Sequence, residues 1–175
     1  MYTKKVIVMK IPEGITLNVE GNMLVVKGPK GGIKKVFDNE TVNVTIKDGE
    51  VTFSTPLKAR RKVNAAVNTV RAHVRNMFEG ASNGYVQKLS VIYSHFPITV
   101  EAKPGEVLIK NFLGEKSVRR ARVMGSVKVE VKKQDITVSG SDKEEVGQTA
   151  ANMHLATRIV GRDNRKFQDG IYLVQ

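Results

Sequence analysis

The sequence predicts an α+β protein made of two tandem copies of one small domain, each a small antiparallel sheet with a helix packed on one face. Three observations carry this. The chain repeats itself at a nearly constant offset. Each copy holds short apolar runs, some alternating with a period of two. Each copy then changes to apolar spacings of three and four, the mark of a helix laid on a sheet.

The repeat is direct. ITLNVEGNMLVVKGPKGGIKK, from Ile15, overlays ITVEAKPGEVLIKNFLGEKSV, from Ile98, without a gap at an offset of 83 residues. Ile15 falls on Ile98, Val26 on Ile109, Lys27 on Lys110 and Gly31 on Gly114. VNVTIKDGEVTFS, from Val42, then overlays VKVEVKKQDITVS, from Val127, at an offset of 85. A unit this long is a whole domain and not a solenoid repeat. The boundary falls near Ser82, Asn83 and Gly84, giving domains of residues 1–82 and 83–175.

Taken in order, Leu24, Val25 and Val26 form an apolar strand bounded by Asn22 and Gly28. Val42, Val44 and Ile46 alternate with polar residues as a half-buried strand does. Lys47, Asp48, Gly49 and Glu50 make a turn in which Asp-Gly is a hairpin signal, and Val51 and Phe53 resume the alternation. Val63, Ala66, Val67, Val70, Val74, Met77 and Phe78 then form one helical face, with Gly80 as its stop. Arg60, Arg61, Asn64, Asn68, Arg71 and Arg75 lie largely off that face.

The second copy repeats the pattern with Val127, Val129 and Val131, then Ile136 and Val138, around a turn of Lys132, Lys133 and Gln134. Ser141 with Glu144 reads as a capping box. Val146, Thr149, Ala150, Met153, Ala156 and Val160 make the helical face, and Gly161 follows.

The charge points to the partner. Net charge is +12, from 29 basic and 17 acidic residues. The surplus is spread over both halves: 14 basic against 7 acidic in residues 1–84, and 15 against 10 in the rest. A polyanion would gain affinity by releasing counterions, whereas plain solubility needs no partner. There is no cysteine, which excludes disulfides, thiolate metal sites and thiol nucleophiles. No apolar run reaches the ~18 residues of a membrane span. The run after Lys4 and Lys5 is too short for a signal peptide, and the protein reads as cytoplasmic.

Enzymatic chemistry finds no site. His73, His95 and His154 have no close metal-ligand spacing, there is no HExxH, and no serine stands in GxSxG. No cofactor is expected. Glu144 and Glu145 sit at a helix start, which the macrodipole explains. His95, beside Tyr93 and Phe96, suits packing or RNA stacking. The loop KGPKGG, Lys27 to Gly32, lacks the spacing of a nucleotide phosphate loop and reads as hairpin punctuation or RNA contact. Its counterpart runs from Asn111 through Lys116 to Arg119, Arg120 and Arg122. If Val118, Ala121 and Val123 pack, those arginines lie on an exposed edge, either solvated or against RNA.

The segment GRDNRKFQDGIYLVQ, from Gly161, has no partner in the first copy. Arg158, Arg162, Arg165 and Lys166 gather around Phe167 and Tyr172 there, and Asp163 and Asp169 suggest local pairing. Basic groups interleaved with aromatics suit RNA, where phosphate contact combines with stacking. Packing of Phe167, Ile171 and Tyr172 back on the domain is the alternative, and the two are compatible.

Four pieces of the chain carry a resemblance: VNTVRAHVRNMFEG from Val67, YSHFPITV from Tyr93, NFLGEKSVRRARV from Asn111 and RKFQDGIYLV from Arg165. With them the chain resembles the large-subunit ribosomal protein L-six family in its archaeal and eukaryotic form, over essentially its whole length. The resemblance implies two duplicated α+β domains, no enzymatic activity, and binding to large-subunit rRNA. It further implies a place near the base of the factor-binding stalk, beside neighbouring ribosomal proteins, with the second domain the main RNA-binding part. By position it points to Arg162, Arg165, Lys166 and Gly170, with Lys116, Arg119 and Arg120 beside them, and Arg158 joins from the basic cluster. Many relatives continue beyond the point matching Tyr172, so contacts of a longer tail are not carried over.

Overall fold

The structure, a computed structural model, describes residues 6–47, 49–55, 60–163 and 165–174. Asp48 of the expected turn, and Lys4 and Lys5, lie outside them. Contacts divide the chain into two compact units, Met1–Gly84 and Tyr85–Gln175.

The first unit contains β1 (Ile7–Lys10), β2 (Thr16–Glu20), β3 (Met23–Gly28), β4 (Gly31–Val36), β5 (Asn43–Lys47), β6 (Glu50–Ser54) and α1 (Arg61–Ser82). The class is α+β, but the strands form two three-stranded antiparallel sheets, β2-β3-β4 and β1-β6-β5. Leu24, Val25 and Val26 are all buried on β3, the central strand of its sheet. Helix α1 lays Val67, Val70, Val74, Met77 and Phe78 into one core with Leu24, Val26, Val51 and Phe53. Each such side chain contributes roughly 1.5–3 kcal/mol by leaving water.

Gly80 is no stop: it is buried inside α1, which runs on to Ser82. The helix ends one turn later, where the Gly84 N–H donates to the Gly80 carbonyl at 3.0 Å and Gly84 takes φ 75°. KGPKGG is a hairpin joining β3 to β4, with Gly28 opposite Gly31. It is pinned to the end of α1: the Lys30 N–H donates to the Ala81 carbonyl at 3.0 Å. A Cβ on Gly28 would come within 2.7 Å of that oxygen.

The second unit contains β7 (Tyr85–Ile92), β8 (Thr99–Lys103), β9 (Glu106–Lys110), a 3-10 turn (Phe112–Gly114), β10 (Arg119–Arg122), β11 (Lys128–Lys132), β12 (Asp135–Gly140), α2 (Lys143–Ala156) and β13 (Gly170–Leu173). Its sheets are β10-β9-β8 and β11-β12-β7-β13. Leu89, Val91, Ile109, Phe112, Ile136, Val138, Met153 and Ile171 fill the core.

Two helix expectations shift. The N-cap is Asp142, one residue beyond Ser141, and its carboxylate accepts the Glu144 N–H at 2.9 Å. Val160 lies past the helix end and is 82% exposed, so it is not part of the buried face. The last turn tightens to bonds of i→i−3 type, the Thr157 and Arg158 N–H groups donating to the His154 and Leu155 carbonyls at 3.2 and 3.1 Å, and the Thr157 hydroxyl also donates to the His154 carbonyl at 3.1 Å.

The strand pairings test the repeat residue by residue. Leu17 pairs with Val26 and Val100 with Ile109, an offset of 83 on both strands. Val44 pairs with Phe53 and Val129 with Val138, an offset of 85. Between these blocks Val26 faces Ile33 whereas Ile109 faces Arg119. The second copy therefore carries extra residues after its third strand, and Gly114 is not the structural counterpart of Gly31.

Candidate RNA interface

The tail leaves α2 at Thr157 and returns as β13 on the outer edge of β7. Both its ends are fastened at one point. The Ile171 N–H donates to the Thr157 hydroxyl at 3.0 Å, and the Ile171 carbonyl accepts from His154 Nδ1 at 2.8 Å. The described residues between Thr157 and Ile171 thus form a closed loop over the end of the helix. The Lys166 and Phe167 N–H groups both donate to the Asp163 carbonyl at 3.0 Å, which folds the loop tip into a turn.

Asp169 anchors the loop from below. Its side chain is fully buried. It accepts the Ser94 N–H at 3.1 Å, the Ser94 hydroxyl at 3.0 Å, the His95 N–H at 3.3 Å and His95 Nδ1 at 3.2 Å. Burial alone would push this carboxyl up, but the bonds from Ser94 and His95 outweigh it and hold the group below the usual carboxylate range. The expected pairing of Asp169 with neighbouring arginines is therefore corrected: its partners lie on the segment after β7. A desolvated carboxylate needs several donors, and the backbone there supplies two.

On this base the His95 ring stacks against Phe167, centroids 4.9 Å apart, and the Arg162 guanidinium lies 4.9 Å from the centre of the same Phe167 ring. Tyr172 tilts against His154, centroids 5.5 Å apart. Beside it a cleft of about 480 Å³ opens, lined by His154, Leu155, Thr157, Arg158, Phe167 and Tyr172 among others.

Arg119 has a different task from the one its place in a basic run suggests. Its Nε and Nη2 bond both Glu115 oxygens, at 2.8 and 2.6 Å. Its Nη1 donates to the Ala156 carbonyl at 2.9 Å and the Arg158 carbonyl at 3.3 Å. Its guanidinium also covers the Phe112 ring at 4.3 Å. A cation on the last carbonyls of α2 meets the negative end of the macrodipole. Arg119 holds Glu115 below the usual carboxylate range, chiefly by hydrogen bonding, and Arg162 adds to the field. The loop that delivers Glu115 is strained: Asn111 and Leu113 take φ 58° and 50°. Gly114, at φ 76°, lies against the Phe96 ring, where a Cβ would sit 3.2 Å away.

The remaining expected residues divide by what holds them. Arg165 is 91% exposed and clamps Asp163 through Nε and Nη2 at 3.1 and 3.0 Å, which lowers the Asp163 carboxyl and raises the guanidinium. Arg120 points from the exposed side of β10, 3.9 Å from Glu106. Lys116, Arg158 and Lys166 are exposed, and no described residue pairs with their side chains. Gly170 is buried on β13 beneath the Tyr172 ring. Of the neighbours of the arginine run, Ala121 is buried and Val123 part-buried, while Val118 is 42% exposed.

Asp169, Thr157 and Glu115 organise the site and were not expected from sequence. Their partners lie up to 75 residues away or on an irregular loop, where no spacing rule applies. Among the described residues no group of three or more His, Asp or Glu side chains could hold a metal ion. No described helix is long and apolar enough to cross a membrane.

Comparison with known proteins agrees with the duplicated fold. The family model for ribosomal protein L6 matches the chain twice, over residues 11–84 and 96–170. The chain is 47% identical over 166 residues to the large ribosomal subunit protein uL6 of Sulfurisphaera tokodaii, covering 94% of this chain and 89% of that protein. The uL6 of Desulfurococcus amylolyticus is 46% identical over 170 residues, covering 95% and 92%. That of Methanobrevibacter smithii is 42% identical over 166 residues, covering 95% and 93%. With both copies matched in order and relatives aligned along nearly the whole length, the chain belongs to the ribosomal protein L6 family.

Proposed function

We propose that the chain is a structural constituent of the large ribosomal subunit that binds large-subunit rRNA near the base of the factor-binding stalk and stabilises the RNA fold there. Family membership supports a structural role in translation, on the cytoplasmic ribosome, and not an enzymatic one. The stalk-base position and its neighbouring ribosomal proteins are what the family resemblance implies. The observation that carries RNA binding is the closed loop over α2, which turns Arg158, Arg165 and Lys166 to solvent on a fixed base. Residues 83–175 form the RNA-binding domain in this reading, and residues 1–82 the other.

The mechanism is passive. Lys116, Arg120, Arg158, Arg162, Arg165 and Lys166 neutralise phosphates, and the cleft beside Tyr172 takes a ribose or base by shape. Arg119 and Gly170 serve by position: one locks the helix end, the other lets Tyr172 lie flat.

A salt-titrated binding measurement tests this, with the rRNA domain that contains the factor-binding loop and an unrelated structured RNA of equal length. Lys166→Ala is expected to weaken binding and flatten the salt dependence by roughly one unit of slope. Arg165→Ala should do less, since Asp163 already shares its charge. Unchanged affinity and slope in both variants would remove the loop from the contact surface.

A further inference from the structure

The exposed side of α1 is not used by the reading above. From Arg61 to Phe78 the helix has no acidic residue. Its first turn holds none, and its N-cap, Arg60, makes no side-chain cap. Arg60, Arg61 and Lys62 therefore stand at the positive end of the macrodipole, where a cation opposes helix formation and a carboxylate would favour it. Folding alone gives no reason for that placement.

Further along, Arg61, Asn64, Asn68, Arg71 and Arg75 follow one another at spacings of three and four. They make one stripe off the core-facing side, roughly 21 Å long at 1.5 Å per residue, exposed at Arg61, Asn68, Arg71 and Arg75 and half-buried at Asn64. Every member carries N–H donors. Exposed Ala65 and Ala72 flank the stripe and keep the approach low. Arg75 pairs with Glu79 at 3.0 Å, but its side chain is 73% exposed and such a surface pair holds it weakly.

We propose that this stripe is a second docking surface for the rRNA backbone, gripping successive phosphates with guanidinium and amide donors. The proposal rests on the rRNA-binding reading above. Charge complementarity selects the occupant: a protein partner would need an apolar or aromatic anchor, and the outer face offers only alanines.

The test uses the full chain and the same rRNA domain. The triple variant Arg61→Gln, Arg71→Gln and Arg75→Gln is expected to flatten the salt slope by roughly two units or more, at 0.7–0.9 per lost contact. Arg61→Glu alone separates function from folding. It should raise the melting temperature of the first unit by relieving the dipole conflict, while weakening RNA binding. A merely structural role would move both in the same direction. The proposal is overturned if the triple variant binds with unchanged affinity and slope while Lys166→Ala lowers both. It is equally overturned if the triple variant binds naked rRNA normally but fails to join subunits, which would assign the face to a protein. If Lys166→Ala also changes nothing, the rRNA reading of the second unit falls with it.

Discussion

The first unit joins β3 to β4 by a tight hairpin, with Gly28 opposite Gly31. At the same place the second unit runs from Lys110 to Arg119 through a strained loop and a 3-10 turn. The first unit ends in a helix of 22 residues. The second has a helix of 14 residues, followed by a loop and one more strand. These two departures touch each other. Arg119, at the end of one addition, donates to the carbonyls of Ala156 and Arg158, at the root of the other. The strand pairs and apolar cores agree between the copies because packing constrains them. What the second copy has beyond the first forms a coupled piece, and it is there that the expected binding residues gather.

That coupling can be broken from its centre. Asp169→Ala should have the largest effect, because it removes the buried carboxylate that accepts four hydrogen bonds from Ser94 and His95; about 3 kcal/mol of second-unit stability is expected to be lost. Urea unfolding would measure it, and a loss under about 0.5 kcal/mol would mean that the loop stands without its anchor. The pH dependence follows from the same group. The folded carboxyl lies below its ordinary value of 3.8, so its contribution is complete above that pH. It is lost as pH falls through the lower folded value. Asp169→Asn should flatten this acid limb and leave stability between pH 5 and 8 without added slope.

Arg119→Ala comes next, with an expected loss of about 1–2 kcal/mol from the helix-end carbonyls, the Glu115 pair and the Phe112 contact. Arg120→Ala should leave stability within about 0.5 kcal/mol yet reduce rRNA affinity. If the two variants behave alike, neighbouring arginines on β10 do not divide the work as their contacts indicate.

The smallest effect sharpens the comparison at the hairpins. The first unit turns from β5 to β6 with a glycine at φ 76°, Gly49, whereas the second holds Lys133 at φ 55° in its β11–β12 turn. Lys133→Gly is expected to stabilise the second unit by about 0.5 kcal/mol, the relief of a left-handed lysine less the added freedom of the unfolded chain.

Duplication, strands and helices were legible because each rests on local apolar periodicity. Val67, Val70 and Val74 declare a buried face without knowledge of what covers it. The division of each unit into two sheets was not legible, since alternation tells which side of a strand is buried and not which strand it joins. The basic loop of the second unit was visible as composition, and its anchors were not. Asp169 reads locally as one more acid among arginines, and only the folded chain brings Ser94 and His95 to it. Arg119, one of three arginines in RRAR, is indistinguishable in sequence from Arg120, although one is held on four sides and the other faces solvent.

The seam between Thr157, His154 and Ile171 has a consequence for the chain before it reaches any partner. β13 is an edge strand, and the outward N–H and C=O of an edge can recruit a strand from another molecule. At Ile171 both are already taken by side chains of the helix end. With only four residues in the strand, little open edge remains beyond it. The contact that shapes the basic loop thus also blunts self-association, which matters most for a ribosomal protein that is still unassembled.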